Sequence, residues 1–363
     1  MTKFFKLFTV FFLLSLIGFS QISKIHYIPP LTANDLQQGG GGSIPYDQHL
    51  YLSTPSTSDV TVKITILSTG QEITYTDLRN DNPKVYQLTA DNPNQEQALN
   101  GVLFVDKDGT GSNRLSSGLV IDADCPVYAS IRYNAGAQAG ALVSKGDASL
   151  GTHFRTGMMT NGNQSDENEF QNSTNSHNLN FISVMATQDN TTVRIDLPNA
   201  SPNLQIANYN YNGNPIVQTL NRNESMIIAA DARQPNNSGE NRFALIGALV
   251  RSIDDSGTVI VEDPTKPIVV NVGSASGTFM STEGGHDHGV DQIVGLDRVG
   301  HEYIFVKGNG AGGDLETPLI IGAVDGTQIY INDDTNPIAT IDAGDYYLIP
   351  PQYYTTLGST ISS

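Results

Sequence analysis

The sequence predicts an all-β protein built from repeated four-stranded antiparallel units, arranged propeller-like or as tandem β-sandwich domains. Three observations predict it. Short runs rich in Val, Ile, Thr and Tyr alternate apolar and polar residues with period two, the signature of strands with one buried face. Clusters of Asn, Asp, Gly, Ser and Pro separate the runs and favour turns through tolerance of positive φ and Asx hydrogen bonds. The runs also recur: Asp59-Val-Thr-Val-Lys-Ile64 is echoed by Asn190-Thr-Thr-Val-Arg-Ile195 and by Gly326-Thr-Gln-Ile-Tyr-Ile331, a spacing of about 130 residues of the kind that marks internal repeats.

Composition sets the outer bounds. The chain has 363 residues, a formal net charge of −18, 35 Gly, 17 Pro, no Trp and 15% charged residues. Coiled coils need charge-rich heptads, and collagen needs Gly at every third position; neither pattern is present. With 38% hydrophobic residues the chain can bury a core. The acidic balance argues against a nucleic-acid partner, whose phosphates it would repel.

Residues 1–20 read as a secretory signal peptide. Lys3 and Lys6 form a basic start, and Leu7 to Phe19 is an apolar stretch too short to span a ~30 Å hydrocarbon core. Gly18 and Ser20 stand at the −3 and −1 positions of a cut before Gln21. Export to the extracellular space or cell surface follows. The single cysteine, Cys125, excludes an intrachain disulfide, and its strand-like context predicts a buried, inert thiol.

Residues 21–48 form an N-terminal segment whose four glycines, Gly39 to Gly42, read as a flexible connector. Residues 49–160 form a first repeat unit, with strands expected near 49–53, 60–66, 71–76, 84–89, 101–105, 118–122, 127–133 and 140–144. Residues 161–178 are a polar linker loop, poor in apolar side chains. A second unit covers 179–310 and a third, incomplete, begins at 311. Further echoes support this division. Ser117-Gly-Leu-Val-Ile121 before Pro126-Val127 matches Ser256-Gly-Thr-Val-Ile260 before Pro267-Ile268. Thr219-Leu220 before Ile227-Ile228 matches Thr340-Ile341 before Leu348-Ile349. Four consecutive strands in ~50–65 residues is the count of a propeller blade, and about seven per ~100 residues that of a sandwich.

The residues at these positions resemble a known family. Thr192 to Ile195, Leu220 to Ile227, Gly257 to Ile260, Pro267-Ile268, Gly289 to Val294 and Gly300 to Tyr303 are similar to the IgGFc-binding protein N-terminal domain. The resemblance spans most of residues 24–351. In Bacteroidota such domains open very large exported surface proteins, including gliding-motility adhesins sent out by the type IX secretion system, and His26 to Leu31 is similar to the start of those proteins. The resemblance implies a non-enzymatic surface protein whose partners are other surface or secretion-system proteins, or glycans. It does not imply immunoglobulin binding. No type IX sorting domain is visible before Ser363, which suggests part of a longer polypeptide or a subunit of a larger assembly.

Chemistry-bearing motifs are sparse. Asp106-Lys-Asp-Gly-Thr-Gly111 places Asp106, Asp108 and Thr110 as oxygen ligands for Ca²⁺ in one tight turn, although Asp-x-Asp-Gly also marks plain hairpin turns. His286-Asp-His288 with His301, and with Asp287 or Asp291, has the residue types of a zinc site if a Gly-flanked loop gathers them. Gly273-Ser-Ala-Ser-Gly277 carries Ala where a nucleophile elbow needs Ser. There is no His-Glu-x-x-His and no phosphate loop, and adjacent pairs such as Asp254/Asp255 and Asp333/Asp334 point to opposite faces of a strand. No catalytic residue is assigned. A secreted carbohydrate-active propeller enzyme and a structural subunit of an outer-membrane assembly are the alternatives. The tyrosines Tyr209, Tyr211, Tyr346, Tyr347, Tyr353 and Tyr354 are either sugar-stacking platforms or ordinary strand residues shared between core and surface.

Overall fold

A computed structural model describes residues 21–32, 45–89, 101–111, 113–135, 138–158, 179–201, 204–231, 243–255, 261–277, 287–306, 318–332, 334–350, 353 and 359–362. The signal segment 1–20, the Gly-rich connector and the polar segment 161–178 lie outside these residues. Among the described residues the protein is all-β, with only short 3-10 turns besides its strands, and no helix is long and apolar enough to cross a membrane.

The first group of strands is β1 (Ser23–Ile28), β2 (Leu31–Thr32), β3 (Tyr46–Ser53), β4 (Val60–Ile66), β5 (Gln71–Leu78), β6 (Lys84–Gln87), β7 (Phe104–Val105), β8 (Leu119–Ala135) and β9 (Gln138–Val143). In β4 the residues Val60, Val62, Ile64 and Ile66 are buried and Thr61 is exposed, so the alternation in sequence becomes one core face. The 17-residue β8 organises the group. Its first part pairs with β4 and β1 and its second part with β3 and β9. One strand therefore runs through two facing layers, β5-β4-β8-β1 and β6-β3-β8-β9, and the sheet curls into a nearly closed, barrel-like shape. Leu50 and Leu52 of β3, Val62 and Ile64 of β4, and Ile121 and Ile131 of β8 share its core.

The second group comprises β10 (His153–Arg155), β11 (Leu179–Ala186), β12 (Thr191–Asp196), β13 (Ile216–Leu220), β14 (Ser225–Asp231), β15 (Leu249–Asp254), β16 (Val261–Glu262), β17 (Ile268–Gly277) and β18 (Asp287–Gln292). It repeats the same plan. One sheet is β10-β15-β12-β13 and the other β14-β11-β17-β18. Val193, Ile195 and Val250 face Ile182, Val184 and Val270 across a second core. Strand by strand, β1 corresponds to β10, β3 to β11, β4 to β12, β5 to β13, β6 to β14, and β9 to β18. The two parts of β8 correspond to β15 and β17.

The third group holds β19 (Glu302–Phe305), β20 (Leu319–Ile321), β21 (Thr327–Ile331), β22 (Ala339–Ile341), β23 (Tyr346–Leu348) and β24 (Ser359–Ser362). The sheet β19-β24-β21-β22 has the order of β10-β15-β12-β13, and β20 pairs β23 as β11 pairs β14. Ile329, Ile331, Ile341 and Ile349 form its small core.

The pairing departs from the consecutive-strand blade that a propeller requires. β3 pairs with β6 and β8 and not with its chain neighbour β4, and the expected strands at 118–122 and 127–133 are two parts of one strand. Alternation along a segment shows which face is buried but not which segment lies beside it.

The groups stack through buried surface. Every residue of β11 is buried: Ile182 and Val184 face the second core while Leu179 and Phe181 pack into the first. Polar groups seal the same junction. Gln292 Nε2 donates to the Tyr27 carbonyl (2.9 Å) and Asn271 Nδ2 to the Pro29 carbonyl (2.9 Å). Gln292 Oε1 accepts from the Lys145 amide at 2.7 Å, and Lys145 pairs with Asp291 at 2.8 Å. Leu319, Ile321 and Tyr346 of the third group likewise pack on the second core.

Candidate functional site

A cleft of about 740 Å³ opens where the outer face of the first group meets β18 of the second; Asp47, His49, Tyr51, Arg132, Asn134 and His288 are among its walls. Strand alternation places them. In β3 Gln48, Leu50 and Leu52 point inward, so Asp47, His49 and Tyr51 point out. Arg132 stands opposite His49 on β8, and Ala141 of β9 stands opposite Arg132. The floor is small by necessity: a Cβ at Gly140 would collide with the Tyr133 ring. Tyr133 packs edge-on against Phe104 (4.8 Å between centroids) and against His288 (5.6 Å).

The rim contains a backbone irregularity. Asp47 has φ +48°, in the left-handed region that non-glycine residues rarely occupy, and the β3–β8 register shifts between Tyr46 and His49. Such a bulge re-aims side chains. Here Asn134 Nδ2 donates to Asp47 Oδ2 at 2.9 Å and His49 Nδ1 lies 2.8 Å from the Asp47 carbonyl. Arg132 sits over the Tyr51 ring, 5.6 Å from its centroid, at the distance of a cation–π contact.

The cleft offers two imidazoles, a guanidinium, an amide, the Asp47 carboxylate and two tyrosine rings. Those groups suit recognition of a polar ligand with hydroxyl or carboxylate groups. Glycoside hydrolysis by the common mechanism needs two carboxylates across the scissile bond, and among the described residues that line the cleft Asp47 is the one carboxylate.

The motifs singled out in the sequence fall elsewhere. Asp106 precedes the 3-10 turn Lys107–Gly109, Asp108 is exposed, and Thr110 is fully buried with its hydroxyl donating to the Lys107 carbonyl at 2.6 Å. This turn locks the first group to the second: Gly111 N donates to the Ile227 carbonyl (2.8 Å) and Asn208 Nδ2 to the Lys107 carbonyl (2.7 Å). Among the described residues no three His, Cys, Asp or Glu side chains gather as metal ligands. His288 lies buried beside Tyr133, Asp291 holds Lys145, and His301 is exposed. His286 and the side chain of Asp287 lie outside the described residues.

One expectation needs correction. Cys125 is exposed rather than buried: residues 124–126, all exposed, form the corner where β8 leaves β4 for β3. The described tyrosines are partly buried: Tyr209, Tyr211 and Tyr346 pack against the second core and Tyr347 and Tyr353 against the third; Tyr354 lies outside the described residues. The cleft residues were missed because they come from four strands, β3, β8, β9 and β18, that span about 240 residues of chain; the one local signal is polar side chains at alternate positions 47, 49 and 51.

No curated protein matches the chain. The family model described as IgGFc binding protein matches residues 139–362, which takes in most of β9 and the whole of the second and third strand groups. That is more than half of the sequence, and it covers the β12 and β21 copies of the repeated motif, so the chain belongs to the IgGFc-binding protein family.

Proposed function

We propose that this chain is the non-enzymatic β-repeat region of an exported bacterial surface protein, an adhesin that acts through protein or glycan contacts during attachment and gliding. The family is not a known enzyme family and is typically found in extracellular proteins, and protein contact is what its name suggests. The observation that carries the reading is the Asp47–His49–Tyr51–Arg132 cleft, which has the groups for recognition. Signal-peptide export at residues 1–20, passage through the type IX route and a source in Bacteroidota belong to the same proposal, as does a repeat plan extended along a larger surface molecule.

Two experiments test it. Protease treatment of intact cells followed by a denaturing gel and peptide mapping places the protein outside the cell or not; a protected intracellular band overturns the reading. Binding of the purified chain to arrayed glycans and surface-protein extracts, compared with Arg132→Ala and Tyr51→Ala, locates the contact. Loss of about tenfold or more in affinity is expected from removing a stacked Arg–Tyr pair in a binding hot spot. The calcium reading of Asp106, Asp108 and Thr110 is tested by melting: a rise of several degrees in millimolar calcium supports it, and an unchanged Tm leaves a hydrogen-bonded turn.

A further inference from the structure

Asp47 decides what two of its neighbours in the cleft offer to a ligand. Its backbone is left-handed (φ +48°), and both its carbonyl and its carboxylate engage cleft residues. His49 Nδ1 lies 2.8 Å from the Asp47 carbonyl. A carbonyl only accepts, so Nδ1 carries the proton, and in the neutral imidazole Nε2 is left as a bare acceptor. Asn134 Nδ2 donates to Asp47 Oδ2 at 2.9 Å. An ionised carboxylate also only accepts, which fixes the amide and leaves Asn134 Oδ1 as a second acceptor.

Arg132 supplies the opposite character. It stands opposite His49 on β8, is exposed and lies over the Tyr51 ring, 5.6 Å from its centroid. Its guanidinium has no hydrogen bond or ion pair among the described residues, in a chain with 37 Asp and Glu residues. The ring thus holds a fork of N–H donors whose planar geometry matches a carboxylate bidentately. The cleft therefore sets two acceptors beside one cation. The acceptors call for O–H donors and the cation for a carboxylate.

The position of these groups in the sheet narrows the class further. His49 is flanked by Gln87 and Arg132, and Arg132 by His49 and Ala141. The site lies on a sheet face without an open backbone edge, so an extended peptide finds no main-chain groups to pair with. The hydroxyl and carboxylate groups of a sugar need only side chains. Asp47 and Arg132 balance each other, and the whole chain carries −18. That field disfavours a polyanion and favours a ligand with one carboxylate among neutral groups.

We propose that the cleft binds a glycan through a uronic acid residue. The sugar carboxylate sits on the Arg132 fork, and ring hydroxyls donate to His49 Nε2 and Asn134 Oδ1. Asp47 is the positioning residue for both acceptors. The inference names the ligand class of the recognition site proposed above and rests on that reading of the cleft.

The probes are two tetrasaccharides that each carry one uronic acid, glucuronic in one and galacturonic in the other, titrated calorimetrically into the full chain. Each is compared with the same oligosaccharide after reduction of its carboxyl group to the primary alcohol. Expected is saturable binding of at least one acid form, about tenfold or more tighter than its reduced form, as a charge-assisted hydrogen-bonded pair contributes. In Arg132→Gln the acid and reduced forms are expected to bind alike. Arg132→Lys keeps the charge without the fork and is expected to lose most of the preference. Asp47→Gly accepts the left-handed backbone but is expected to weaken both forms by the same factor. Asp47→Asn, whose amide oxygen still accepts from Asn134, is expected to restore the affinity.

The proposal is overturned if neither acid form binds, if acid and reduced forms bind wild type equally, or if Arg132→Gln keeps the preference. It is also overturned if an acidic peptide or a sulfated tetrasaccharide binds more tightly than either uronate. A neutral glycan or a protein whose binding is lost in Arg132→Ala would uphold the broader recognition reading while removing this one, so the two failures are distinguishable.

Discussion

At the scale of single residues the clearest determinant is His26. It is fully buried in β1, with Nδ1 2.9 Å from Ser144 Oγ and Nε2 2.9 Å from the Val127 carbonyl. Burial pushes its pKa below the ordinary 6.5, against the opposing pull of the Val127 and Ser23 carbonyls and of Asp147. Below pH 6.5 the unfolded chain therefore binds more protons at this site than the folded one. The contribution to stability is complete above 6.5 and is lost as the pH falls through the folded value. Urea midpoints measured from pH 8 to pH 5 are expected to fall in wild type, with a smaller slope in His26→Ala. That variant is expected to lose about 1–3 kcal/mol at pH 7.5, because two buried hydrogen bonds, to Ser144 Oγ and to the Val127 carbonyl, are lost, although Ser144 Oγ keeps its bond to Gln292 Oε1. None of this was legible in the sequence. His26 falls in the 21–48 stretch that reads only as an N-terminal segment, and the groups that surround it come from residues 23, 127 and 144. Cys125 shows the same limit: its parity with Ile121 and Val127 predicts burial, and only the change of strand partner at the corner exposes it.

At the scale of elements, legibility depended on whether a strand has one buried face. β4 was read correctly from Val60 to Ile66 because its other face meets solvent, so burial and alternation coincide. β11 escaped that reading. Its sequence Leu-Asn-Phe-Ile-Ser-Val-Met-Ala does not alternate, since both faces are covered and even Asn180 is buried, beside Ser274 Oγ at 2.7 Å. Phe181 is the side chain by which this strand enters the first core, and it fills the space over Gly273, where a Cβ would strike its ring. Phe181→Ala is expected to destabilise by about 3–5 kcal/mol, the range for a buried aromatic truncated in a packed core. Because the cavity lies between two groups, hydrogen exchange is expected to rise in β8 as well as in β11. Acceleration confined to β11 would show that the first group is stable without its neighbour.

At the scale of the whole molecule, the repeat was legible and its unit was not. The echoes at Asp59, Asn190 and Gly326 mark β4, β12 and β21, which hold the same place in three successive groups. What they could not show is that each group folds as two facing sheets, since β1 and β8 pair across about a hundred residues of chain. The backbone contact between the second and third groups makes the stack testable. Gly247 has φ +77° and Gly344 φ +91°, and a Cβ on Gly247 would collide with the Gly344 carbonyl. Asn199 Nδ2 bridges the same two turns, donating to the carbonyls of Ile246 (3.0 Å) and Gly344 (2.9 Å). Gly247→Ala therefore adds left-handed strain to a steric clash at the one place where these turns touch. Limited proteolysis is expected to cut that variant first within residues 302–350, while β3, β4, β11 and β12 keep their protection. A third group that stays as resistant as in wild type would mean that Leu319, Ile321 and Tyr346, packed on the second core, hold the stack together without the glycine contact.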